Sequence, residues 1–96
     1  RAMIRVQVEI GFSFKRELAG DYRELVVPSG ADVAVALRAL VDRFPTIEGR
    51  IFGRLGEVRR DVGVLVNGGN VLRRNGLRTE LVDGDRLTLL PPVGGG

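Results

Sequence analysis

An α+β domain is what the sequence predicts, with one main helix packed on one face of a mixed sheet of four to five strands. Three observations point there. Ile4, Val6, Val8 and Ile10 alternate with Arg5, Gln7 and Glu9, the period of a half-buried strand. Val33, Leu37, Leu40, Val41 and Phe44 fall on one face at helical spacing. Val62, Val64 and Val66 alternate again, and a last strand follows over Arg86 to Leu90 with Leu87 and Leu89 on one face. A chain of 96 residues holds one such domain and not two.

Each element has a local reason. Arg1-Ala2 reads as vector-derived sequence ahead of a natural start at Met3, so the domain is assigned to residues 3–90 and an extended tail to 91–96. Gly11 to Asp21 is polar and predicts a long hairpin loop, with Phe12 and Phe14 at alternate positions that would extend the first strand. Tyr22 to Val27 is the second strand, stopped by Pro28. Ser29 is the expected cap of the helix, with Asp32 placed to favour its N-terminal dipole. Pro45 ends the helix. Ile47, Ile51, Phe52 and Leu55 predict one or two short helical turns that close over the core edge. Asn67-Gly68-Gly69-Asn70 is a hairpin turn, because these residues tolerate positive φ. Val71-Leu72 begins the return strand, Leu77 to Leu81 forms a single turn, and Asp83-Gly84-Asp85 turns into the last strand. The order strand, strand, helix, strand, short strand, strand is that of a β-grasp fold, with the first and last strands side by side and parallel in the centre.

Composition removes several chemistries. The sequence has no Cys and no His, so thiol nucleophiles, disulfides, His general bases and Cys or His metal sites are absent. Asp83 and Asp85 alone are too few carboxylates to argue a metal site, and no catalytic residue is assigned. No apolar run approaches the ~20 residues that span a bilayer, and no membrane partner or signal peptide is expected. Lack of disulfides fits the cytoplasm. The net charge is +3 and the pI about 10.5, from 14 Arg and a single Lys15 against 12 acids. The arginines are spread along the chain without a stacking motif, which reads as a solvated mixed-charge surface more than a nucleic-acid groove. Scarce lysine would also limit self-conjugation of an activated C-terminus.

The ending, Leu89-Leu90-Pro91-Pro92-Val93-Gly94-Gly95-Gly96, is the most informative segment. Proline favours an extended chain and glycine lets a partner's active site close around the backbone. Six residues from Pro91 to Gly96 span roughly 20 Å at ~3.3–3.6 Å each. On the last strand Leu87 and Leu89 should face the helix, leaving Thr88 and Leu90 on the open sheet face. Leu65 has the parity opposite to Val64 and Val66. Leu65 and Leu90 are therefore expected to form an apolar docking patch beside the root of the tail. Arg73, Arg74 and Arg86 are candidates to steer an acidic partner.

In Val64-Leu65-Val66-Asn67-Gly68, Asn70-Val71, Gly76-Leu77, Thr79, Leu81, Asp83-Gly84-Asp85, Leu87, Leu89, Pro91-Pro92-Val93 and Gly95-Gly96, the chain resembles the ubiquitin-like sulfur-carrier family. That family comprises the molybdopterin synthase small subunit, its thiazole-pathway relative and the archaeal ubiquitin-like small modifiers. Length and the Asn70 to Leu81 insert look most like the archaeal branch of the molybdopterin-synthase small subunit. Gly94 departs from the pattern, since the family usually has a non-glycine residue before the pair.

The resemblance implies a ubiquitin-like fold and a carrier that is not itself a catalyst. It binds no cofactor. A ubiquitin-activating-type adenylating enzyme would use ATP to activate the Gly96 carboxylate, and a sulfur donor would convert the adenylate to a thiocarboxylate. Pro91, Pro92, Val93, Gly94 and Gly95 would thread the tail into a partner's active site. The molybdopterin synthase large subunit would then accept the sulfur for molybdenum or tungsten cofactor synthesis. Two alternatives stand beside this. One is a protein modifier joined through Gly96 to target lysines. The other is a basic β-grasp module that binds nucleic acid and is indifferent to loss of Gly95-Gly96.

Overall fold

The computed structural model describes residues 2–10 and 24–90, with the side chain of Ile10 set aside. The expected loop at Gly11 to Asp21 with Phe12 and Phe14, the start of the second strand at Tyr22, and the tail Pro91 to Gly96 lie outside the described residues. The elements run β1 (Met3–Ile10), β2 (Glu24–Pro28), α1 (Val33–Arg43), α2 (Glu48–Ile51), β3 (Gly63–Val66), β4 (Gly69–Asn70) and β5 (Arg86–Leu90), with short 3-10 turns between them.

Five strands form one sheet in the order β2-β1-β5-β3-β4. β1 and β5 are parallel at its centre, as the element order predicts, with Gln7 opposite Arg86 and Ile10 opposite Leu89. The other neighbours are antiparallel. The period of two then sorts the side chains. Val6, Val8, Leu25, Val27, Val64, Val66, Leu87 and Leu89 are buried beneath α1, while Arg5, Gln7, Glu9 and Leu90 remain exposed on the other face. α1 contributes Val33, Ala36, Leu37, Leu40 and Val41 to this core, and Phe44 packs on its margin. Burying a side chain of this size stabilises by roughly 1.5–3 kcal/mol. The core between α1 and the sheet is therefore what holds the β1–β5 pair in place. This is the β-grasp, ubiquitin-like arrangement.

Local departures from the expected elements have physical causes. The helix cap is Asp32 and not Ser29: the Val35 amide donates to Asp32 Oδ1 at 3.0 Å. Ala31 N–H donates to the Pro28 carbonyl at 3.0 Å, closing a turn in which Gly30 has φ of 90°. That turn consumes Ser29 and shifts the helix start to Val33. Leu55 does not close the core but is 93% exposed, at the tip of a small loop whose ends are tied by the Gly53 amide donating to the Glu57 carbonyl. Ile47 and Ile51 do bury fully.

The return strand is only Gly69–Asn70 and does not continue into Val71-Leu72. The Leu72 amide donates to Asn70 Oδ1 at 2.9 Å, and this side-chain turn diverts the chain into a 3-10 turn over Val71–Arg73. Val71 points inward and Leu72 outward as a result. The later turn lies at Gly76–Arg78, ahead of the expected Leu77 to Leu81. Residues 79–81 are instead held to the segment before α1. The Val33 amide donates to the Thr79 carbonyl, and the Leu81 amide to the Ala31 carbonyl.

Candidate functional site

The described part of the site is the end of β5 and the sheet face around it. Leu90 closes β5 opposite Gly63, and Thr88 stands opposite Leu65. Gly63 leaves space beside these neighbours that a methyl group would fill at ordinary contact distance. A Cβ built there would lie 3.4 Å from Leu90 Cβ, 3.7 Å from Leu90 Cδ1 and 3.9 Å from Leu65 Cδ1. Leu65 and Leu90 thus both border Gly63 on the open sheet face, at the last described residue before the tail. Leu90 is 45% exposed and Leu65 half-buried, as strand parity predicts for these two positions, and Gly63 beside them is the residue that sequence reasoning missed. The signal available was the β3–β5 register, which needs both strand ends.

Arg86 shares the open face but stands apart from the two leucines. Its Nε lies 3.6 Å from Glu9 Oε2, and Thr88 Oγ1 donates to Glu9 Oε1 at 3.1 Å. Both charged side chains are more than half exposed, so the pair adds little stability. It does neutralise part of the charge expected to steer a partner. Arg73 and Arg74 lie beyond β4, away from β5 in the strand order.

Two turns fix where β5 begins, and so where the tail leaves. Asn67 and Gly68 have φ of 51° and 86°, the backbone a tight hairpin requires. Asn67 Oδ1 accepts from the Arg86 amide at 2.9 Å and its Nδ2 donates to Asp85 Oδ1 at 2.9 Å. Asp85 Oδ2 accepts from the Val82 amide at 2.8 Å, and Asp83 Oδ1 from the Arg5 amide at 2.8 Å. Both carboxylates of the Asp-Gly-Asp turn are thus occupied with N–H donors of the fold. Among the described residues no group of three His, Cys, Asp or Glu is placed to hold a metal. Likewise, no helix among them is long and apolar enough to cross a membrane.

This sheet, with its paired terminal strands leading into a diglycine tail, defines a ubiquitin-like protein of the sulfur-carrier superfamily. The chain belongs to the ThiS family, whose model matches residues 12–96. It is 40% identical over 70 residues to small archaeal modifier protein 3 of Haloferax volcanii, covering 73% of this chain and 75% of that one. It is 40% identical over 86 residues to small archaeal modifier protein 1 of the same organism, covering 88% of this chain and 94% of that one. The crystal structure of Haloferax volcanii SAMP1 superposes with a TM-score of 0.81 at 32% identity, over 96% of this chain and 99% of that one. A putative molybdopterin converting factor subunit 1 from Pyrococcus furiosus superposes with a TM-score of 0.75 at 28% identity, over 94% and 99% of the two chains.

The superfamily expected from the C-terminal motifs is therefore correct. The narrower placement in the molybdopterin-synthase branch is not singled out, because these similarities run first to the small archaeal modifiers. Family membership makes the chain a small non-catalytic carrier or modifier and implies an E1-like activating partner.

Proposed function

We propose that this protein is a ubiquitin-like modifier, joined through Gly96 to lysines of target proteins after activation by an E1-like enzyme. The observation that carries the reading is 40% identity to small archaeal modifier protein 1 across 94% of that protein's length. Chemically, the Gly96 carboxylate attacks the α-phosphate of ATP and pyrophosphate leaves, giving an acyl-adenylate. A lysine amine then attacks the acyl carbon, AMP departs and a proton is lost, leaving an isopeptide bond. Pro91 and Pro92 lower the entropy lost when the tail inserts into the enzyme, and Gly94 and Gly95 allow close approach of the enzyme's walls. Leu65, Leu90 and Arg86 are the surface on which the activating enzyme docks; the placement of both leucines beside Gly63 at the end of β5 supports this.

Sulfur carriage is the second reading, favoured by the ThiS family match and by the Pyrococcus relative. A sulfur donor displaces AMP from the same adenylate, and the thiocarboxylate passes sulfur to an acceptor such as the molybdopterin synthase large subunit. The test is to incubate the protein with its cognate E1-like enzyme, ATP and a lysate of the same cells, and to map products by mass spectrometry. The modifier reading expects isopeptide links from Gly96 to target lysines, absent after deletion of Gly96. A mass gain equal to exchange of one oxygen for sulfur, with no isopeptide, would replace it by the carrier reading. Unchanged products from the Gly96-deleted chain would overturn both.

A further inference from the structure

A cavity of about 330 Å³ lies between the chain leading into β3 and the 3-10 turns after β4. Its floor is aliphatic, made by Val62, Val64 and Val71, all buried. Leu72, 82% exposed, stands at its mouth. A volume of this size is at the lower end of the ~300–1,000 Å³ of ligand pockets.

The polar groups around it say what it accepts. Arg59 is already paired with Asp61 at 2.8 Å and donates from Nη1 to the Gly49 carbonyl. Asn70 Oδ1 is taken by the Leu72 amide. Arg59 and the Asn70 Oδ1 are thus already engaged within the fold. Arg60 lines the cavity, and Arg73 and Arg74 follow directly from Leu72. All three are exposed, and no carboxylate among the described residues pairs with them. Among the described residues no aromatic side chain lines the cavity, so they offer no stacking platform for nucleic-acid bases. An aliphatic slot lined by the unpaired Arg60, with Arg73 and Arg74 next along the chain from Leu72, is complemented by an aliphatic anchor flanked by carboxylates.

We propose that this cavity is a docking site for an acidic peptide segment bearing aliphatic anchors, presented by a protein that reads this domain non-covalently. The segment's aliphatic side chains fill the slot over Val62 and Val71, and its carboxylates meet Arg60, Arg73 and Arg74. The proposal does not rest on activation at Gly96. Gly63 borders both the cavity and Leu90, so the reader sits beside the root of the tail.

The test uses the full 96-residue chain, isotopically labelled, titrated by NMR with the synthetic peptide Asp-Asp-Leu-Val-Leu-Asp-Asp. Saturable shifts centred on Val62, Val71, Leu72 and Leu77 are expected. They are lost when the peptide's aliphatic residues become Ser or its Asp residues become Lys. Leu72→Ser and the double variant Arg73→Glu/Arg74→Glu should each weaken binding by about tenfold or more, a factor of ten being 1.4 kcal/mol. Both change exposed side chains, so thermal midpoints should hold and separate lost binding from lost folding. Absence of saturable shifts, or equal binding of the Lys peptide, overturns the proposal. So do shifts at the same residues caused by simple dilution, by deletion of 91–96, or by an oligothymidylate. These would assign the cavity to a second copy, to the chain's own tail or to nucleic acid.

Discussion

Asn67 does three jobs with one side chain and one backbone conformation. It holds φ of 51°, accepts from the Arg86 amide and donates to Asp85. Asparagine tolerates the left-handed region better than other non-glycine residues. Asn67→Ala loses both the tolerance and two hydrogen bonds, and should destabilise by about 2 kcal/mol. Asn67→Gly keeps the conformation and should cost about half as much. Urea unfolding at unchanged m-value checks the pair, and equal losses would show that backbone conformation contributes nothing. Gly63 is different, since the space beside it is bordered by Leu65 and Leu90 but not closed by them. Gly63→Ala places its Cβ at ordinary contact distance, so it should fold with stability within about 1 kcal/mol of the parent. A larger loss would mean that Leu90 cannot adjust.

At the scale of elements, the helix start and the strand ends decide the geometry. Asp32→Ala removes the cap of α1 and should cost about 1 kcal/mol. Ser29→Ala should stay within about 0.5 kcal/mol, because Ser29 lies in the preceding turn. Thermal unfolding of the two variants distinguishes the assignments, and the reverse order would return the cap to Ser29. β5 is pinned at its start by the Asn67–Asp85 clasp and along its length by β1 and β3. A register slip would turn Leu87 and Leu89 outward and Leu90 inward, so the clasp and the buried leucines together set which way the proposed docking residue Leu90 faces.

For the molecule as a whole, the core and the proposed docking surface for the activating enzyme lie on opposite faces of one sheet. Leu37 is fully buried where α1 meets the sheet, and Leu37→Ala should cost about 2–5 kcal/mol. Denaturation would report that loss, while activation of the residual folded protein should proceed normally. Leu90→Asp should do the reverse: stability near that of the parent, and kcat/KM for adenylation reduced by about tenfold or more, 1.4 kcal/mol in the transition state. Steady-state pyrophosphate release measures it. An unchanged rate would remove Leu90 from the docking surface.

The sequence by itself determined the alternation of β1, β3 and β5, the apolar stripe of α1, the hairpin at Asn67-Gly68 and the family, because each depends on neighbours a few residues apart. It also indicated Leu65 and Leu90 as outward-facing, since parity along a strand is a local property. Tertiary structure alone decided the rest. Asp32 displaced Ser29 as cap because the turn from Pro28 to Ala31 set the helix start. Asn70 cut the return strand short by capturing the Leu72 amide. The placement of Leu65 and Leu90 beside Gly63, the pairing of Arg86 with Glu9, and the cavity bounded by Val62 and Val71 all join residues from separate strands and turns. Such contacts follow from strand order and register, which are settled by burying the whole core at once and are not written in any short stretch of chain.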